Sequence, residues 1–77
     1  MTVYYYLKKD GVTLDHIRQD TERVPFSSFD LHYLVDNLLT FPDESIPSFF
    51  TRVCTYSSCG ASAMIDGCYY SVEYEVD

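Results

Sequence analysis

IDGCYYSVEYEVD, residues 65–77, alternates without a break once past its glycine. Cys68, Tyr70, Val72, Tyr74 and Val76 fall on one side, and Tyr69, Ser71, Glu73, Glu75 and Asp77 on the other. Successive side chains of an extended backbone point to opposite faces, so this pattern predicts a half-buried strand of an antiparallel sheet. Asp66-Gly67 stands just before it. A two-residue type I′ turn needs positive φ at both central positions, which Asp tolerates and Gly adopts freely. Ile65 should therefore oppose Cys68, with Met64 opposite Tyr69 and Ala63 opposite Tyr70.

The same device opens the chain. Asp10-Gly11 separates two strand-like runs, residues 2–9 and 12–18. An unbroken hairpin about that turn sets Lys9 against Val12, Leu7 against Leu14, Tyr5 against His16 and Val3 against Arg18. Val3, Tyr5, Leu7 and Leu14 then share the core side, and Tyr4, Tyr6 and Ile17 the other. Aromatic residues on both sides imply partial burial of the second face, by the C-terminal strands or by a partner.

Between the hairpins lies one good helix. Ser27 or Ser28 is placed to cap it, with Asp30 favouring its N-terminal dipole. Leu31, Leu34, Val35 and Leu38 follow the spacing of a buried stripe that Leu39 widens, while Asp36, Asn37 and Thr40 point outward. Pro42 ends the helix near Thr40. Asp43, Glu44 and Ser45 are placed to add one further turn before Pro47. Residues 49–57, rich in Phe, Thr, Val and Tyr, read as another strand, and residues 58–61 as the turn leading onward. The expected fold is α+β, an antiparallel sheet of four to five strands in the order β-β-α-β-β-β with one helix on one face.

Seventy-seven residues make a single domain, 1–77. Surface scaling gives about 4,800 Å² for the folded chain against about 12,900 Å² extended, enough burial for a domain that stands alone with little excess stability. The 47% hydrophobic content argues against disorder, and the longest apolar run, residues 3–7, is far too short to span a membrane. The opening Met-Thr-Val-Tyr-Tyr-Tyr lacks the basic segment and cleavage site of a secretory signal. Cys54, Cys59 and Cys68 are an odd set, unlike a disulfide-stapled secreted domain. Their C-x4-C-x8-C spacing fits no common zinc pattern, and only a distant His16 or His32 would complete four ligands. Three reduced cysteines in a cytoplasmic protein are expected, with no metal and no cofactor.

The net charge of −7 is unevenly placed. Residues 1–29 balance four acids against the four bases Lys8, Lys9, Arg18 and Arg23. Residues 30–77 hold eight acids and the single base Arg52. Such a surface repels nucleic acid and attracts basic partners, although net charge of this order also serves plain solubility. No enzyme motif is present. His16 lies on a strand and His32 among core-facing helix residues, away from any glycine-rich turn, and three glycines supply no phosphate loop. The binding candidates are therefore Glu73, Glu75 and Asp77 along the last strand, Tyr69 continuing their row, and Asp66 at the hairpin tip. Asp36, Asp43 and Glu44 add a second acidic zone around the helix and its exit. Carboxylates so spaced suit Arg and Lys side chains that normally hold phosphates. An acidic strand that merely discourages edge pairing has the same composition. Eight tyrosines, Tyr4 and Tyr6 among them, supply interface anchors or simply favoured sheet residues.

A chain this short, acidic, tyrosine-rich and cysteine-odd, without signal or catalytic residues, resembles in type the small inhibitors of phages and mobile elements, notably anti-CRISPR proteins. That likeness covers overall character and no shared motif. It implies a stoichiometric inhibitor in the host-cell cytoplasm, monomeric or homodimeric. Its partner would be a basic protein or ribonucleoprotein, a CRISPR effector or nuclease-like complex, bound without direct contact to nucleic acid or membrane. An antitoxin or immunity protein neutralising a basic nuclease, and a structural or regulatory homodimer, are the alternatives.

Overall fold

The computed structural model describes residues 1–22, 28–58 and 60–77, with residues 28–30 described by backbone alone. The strands are β1 (Thr2–Lys9), β2 (Val12–Asp20), β3 (Thr55–Ser57), β4 (Gly60–Ile65) and β5 (Cys68–Val76). They form one antiparallel sheet in the order β2-β1-β5-β4-β3. The chain leaves β2 at one edge and enters β3 at the other, so the connection must cross the sheet. Helix α1 (Ser28–Tyr33), a π-helical turn (Leu34–Leu38) and helix α2 (Ile46–Val53) make that crossing. They bury a single face: Val3, Tyr5, Leu7, Ala61, Ala63, Ile65, Tyr70 and Val72 pack against Leu31, Leu34, Val35, Leu39, Ile46 and Phe50. This is the expected α+β class with five strands, but with a second helix.

Both Asp-Gly turns form as expected. Asp10 and Gly11 have φ of 50° and 83°, and Asp66 and Gly67 of 51° and 77°. The second hairpin keeps its expected register, Ile65 opposite Cys68 and Ala63 opposite Tyr70. The first does not. Lys9 opposes Val12, but a bulge follows, so that Leu7 opposes Asp15, Tyr6 opposes His16 and Tyr5 opposes Ile17. One extra residue in β2 exchanges the faces of everything beyond it. Ile17 thereby packs on the core, while Leu14, expected inside, is exposed. Asp15 turns inward toward the helices, where its Oδ2 accepts the Thr40 N–H at 2.8 Å.

The helical region also departs from expectation. Asp36, Asn37 and Thr40 are exposed as predicted, but His32 is exposed rather than among core residues. The Leu39 N–H donates to the Leu34 carbonyl at 2.8 Å, an i to i+5 bond that ends the π-helical turn. This wider turn brings Leu39 beneath Leu34, so Leu39 is buried and Leu38 only partly so. The candidate caps Ser27 and Asp30 fall outside the described residues and side chains, as do Arg23 and Cys59.

Residues 49–53 are helix, not strand. Pro47 sits in the first turn of α2, where its missing N–H breaks no bond. Ile46 and Phe50, four apart, face the core, and the Cys54 N–H donates to the Phe50 carbonyl at 2.9 Å. Adjacent Phe49 is 42% exposed while Phe50 is fully buried. Ser48, midway between buried Ile46 and Phe50, is exposed, whereas a strand would put all three on one face. The helical pattern overrides the strand propensity of Phe, Thr and Val. Only β3 survives of the expected strand, as a short exposed edge.

A candidate interaction surface on the open face of the sheet

Since the core takes one face of the sheet, alternation assigns the other face in advance. β5 lies at the centre and presents Tyr69, Ser71, Glu73 and Glu75 there. β1, beside it, presents Tyr4, Tyr6 and Lys8, and β2 beyond presents His16, Arg18 and Asp20. Register lines these up across the strands: Arg18, Tyr4 and Glu75 form one row, and His16, Tyr6 and Glu73 the next. Neighbouring strands lie about 4.8 Å apart and rows about 6.7 Å apart. Tyr4 and Tyr6 are half-buried because β5 and β2 flank them, the C-terminal contribution the sequence allowed for.

The carboxylates of the row are not equivalent. Glu73 is internally compensated. Its Oε1 lies 3.5 Å from Lys8 Nζ, and its Oε2 accepts the Ser71 hydroxyl at 3.0 Å. Glu75 and Asp77 are exposed and form no ion pair among the described residues. Arg18, two strands from Glu75, pairs instead along its own strand with Asp20 at 3.5 Å. Tyr6 stacks with His16, the ring centroids 6.5 Å apart. A shallow depression on this face is lined by Tyr6, Lys8, Thr13, Glu73, Tyr74 and Glu75.

The other sequence candidates lie at the far end of this face or away from it. Tyr69 is 47% exposed at the start of β5, and Asp66 stands at the turn before it. The nine residues of β5, about 30 Å of strand, separate Asp66 from Asp77. Asp36, Asp43 and Glu44 are exposed on the helical side of the sheet. The acidic candidates therefore divide between opposite sides of the molecule, and Glu73, Glu75 and Asp77 alone form a continuous row. Asp43 has local work to do: its Oδ1 accepts both the Ser45 N–H and the Ser45 hydroxyl at 2.9 Å. Those bonds hold its carboxyl below the usual value of 3.8, the backbone bond contributing most.

Of the bases Lys8, Lys9, Arg18 and Arg23, any of which the sequence left able to neutralise the C-terminal row, Lys8 is the one that reaches Glu73. The two are 65 positions apart, and only the pairing of β1 with β5 makes them neighbours. No group of three or more His, Cys, Asp or Glu among the described residues is arranged to hold a metal. Cys54 and Cys68 are free and partly buried. Among the described residues no helix is long and apolar enough to cross a membrane. No protein-family model matches the chain, and no curated protein or solved structure is significantly similar to it.

Proposed function

We propose that this chain is a non-enzymatic binding protein that occupies a basic, nucleic-acid-binding site of another protein or ribonucleoprotein, as anti-CRISPR proteins do. The observation that carries this reading is the set of Glu75 and Asp77. Lys8 compensates Glu73 and Arg18 compensates Asp20, while these two carboxylates keep their charge on the open face and at its end. They stand beside half-buried tyrosines on a surface that the core leaves unused. Rigid aromatic area bordered by uncompensated charge suits partner recognition, and its sign selects Arg and Lys. Tyr69 extends this surface, and the acids of the helical side and Asp66 add to the long-range attraction of a cationic partner. The free thiols of Cys54 and Cys68 fit action in the cytoplasm of the cell whose effector is blocked.

The test is capture from bacterial lysate by the tagged protein, beside an E75K/D77K variant of unchanged circular dichroism. The reading expects recovery of a nucleic-acid-binding complex that salt releases, that has lost bound nucleic acid, and that the variant fails to retain. Recovery of a cognate toxin would favour the immunity alternative. A free protein of twice 8.9 kDa without any captured partner would favour the homodimer. Undiminished capture by the variant rejects the surface.

A further inference from the structure

Resting on that reading, we infer that the depression between Tyr6, Glu73 and Glu75 seats an arginine side chain of the protein partner, and that Lys8 holds the cation's place in the free protein. The seat already binds a cation: the Lys8 ammonium lies 3.5 Å from Glu73 Oε1. It does so incompletely. A lysine is a point charge reaching one oxygen of one carboxylate, while Glu75, one row along the same face, has no cation among the described residues. Glu73 and Glu75 lie two residues apart on β5, their Cα atoms about 6.7 Å apart. A planar guanidinium with five donors can engage carboxylates presented from two successive rows.

The aromatic setting favours arginine over lysine. Tyr6 and Tyr4 are the cross-strand partners of Glu73 and Glu75 respectively, so aromatic side chains flank the acidic row on the neighbouring strand. Guanidinium is weakly hydrated and stacks against aromatic faces while its edge meets a carboxylate in two parallel bonds. Ammonium loses more hydration and gains no planar contact. Lys8 is 32% exposed and bound to a single oxygen, so an incoming arginine can displace it into solvent at small cost.

Titration of the full-length, isotope-labelled protein with a blocked Gly-Arg-Gly-Arg-Gly peptide tests this by nuclear magnetic resonance, with the lysine peptide as comparison. Expected are amide shifts centred on Tyr4, Tyr6, Lys8, Glu73 and Glu75, and affinity at least threefold weaker for the lysine peptide. Lys8→Met should tighten the arginine peptide several-fold by freeing Glu73. Glu75→Gln should weaken it about tenfold, the scale of one charged hydrogen bond lost. Glu44→Gln, equal in charge but on the helical side, should change nothing. Shifts spread evenly over Asp36 and Glu44, equal affinity for both peptides, or no binding overturns the arginine seat. Looser binding in both the Lys8→Met and Glu75→Gln proteins overturns Lys8 as its placeholder. Any of these leaves the capture result for E75K/D77K to judge the wider reading separately.

Discussion

Asp10 and Tyr69, 59 positions apart, exchange two hydrogen bonds: the Asp10 N–H donates to the Tyr69 carbonyl at 2.7 Å, and the Tyr69 N–H donates to Asp10 Oδ1 at 2.8 Å. The β1–β5 ladder runs only to Lys9 opposite Tyr70, where the backbone of β1 turns away into the hairpin. The aspartate side chain supplies the next acceptor in place of a backbone carbonyl. One residue thus serves both the left-handed turn position and the end of the central ladder.

Asp10→Ala removes that acceptor and forces a Cβ-bearing residue without local hydrogen bonding into φ near 50°. A loss of about 1–3 kcal/mol is expected in urea unfolding. Asp10→Gly relieves the backbone and loses the side-chain bond alone, about 1 kcal/mol. Asp10→Asn keeps an acceptor and tolerates the conformation, so it should fall within about 0.5 kcal/mol of the parent. A different ranking would mean that the clasp does not support β5.

Gly60→Ala should be far more harmful than alanine at Gly11 or Gly67. A Cβ at Gly60 would lie 2.0 Å from the Val72 carbonyl oxygen, whereas nothing stands within 4 Å at the other two. At the turns only the positive φ is opposed, costing about 1–2 kcal/mol. At Gly60 the β4–β5 pairing itself must shift. Since a domain of this size holds only about 4–11 kcal/mol in all, that variant should be largely unfolded or show a sharply lowered urea midpoint.

Phe50→Ala and Phe49→Ala report the buried and exposed faces of α2. Phe50 is fully buried and Phe49 is 42% exposed, its ring lying under the Arg52 guanidinium at 5.3 Å. Truncation should cost about 3–5 kcal/mol at Phe50 and under about 1 kcal/mol at Phe49, measured by chemical denaturation. Protection of the Cys54 amide against hydrogen exchange, through its bond to the Phe50 carbonyl, should accompany the native state.

Asp43 ties stability to pH in the acid range. Its folded pKa is depressed below 3.8 by the two donors of Ser45, so its contribution is fully present above the ordinary carboxyl value. The contribution is lost as pH falls through the lower, folded pKa. Asp43→Asn should therefore be less stable than the parent near neutrality and equal to it in strong acid. A carboxyl carbon titration showing Asp43 at or above 3.8 would contradict the arrangement.

The alternation of residues 68–76 and the two Asp-Gly turns were legible because strand faces and two-residue turns depend on neighbours a few positions away. The outward row Glu73, Glu75 and Asp77 was legible for the same reason. The bulge at Leu14 was not: the residues 12–20 allow either register, and choosing one requires knowing that Ile17 reaches the core beneath the helices. Nor was α2, where strand-favouring Phe49, Thr51 and Val53 are overruled by the burial of Ile46 and Phe50.

Local pattern and composition specify an antiparallel α+β chain, its hairpin turns and the excess of negative charge in its second half. Which acids keep that charge depends on how the strands pack in space. Placing β1 beside β5 brings Lys8 onto Glu73 and leaves Glu75 and Asp77 exposed without an ion pair among the described residues. Coulomb interactions depend on distance in space, and the 65 positions between Lys8 and Glu73 say nothing about that distance until the sheet has formed.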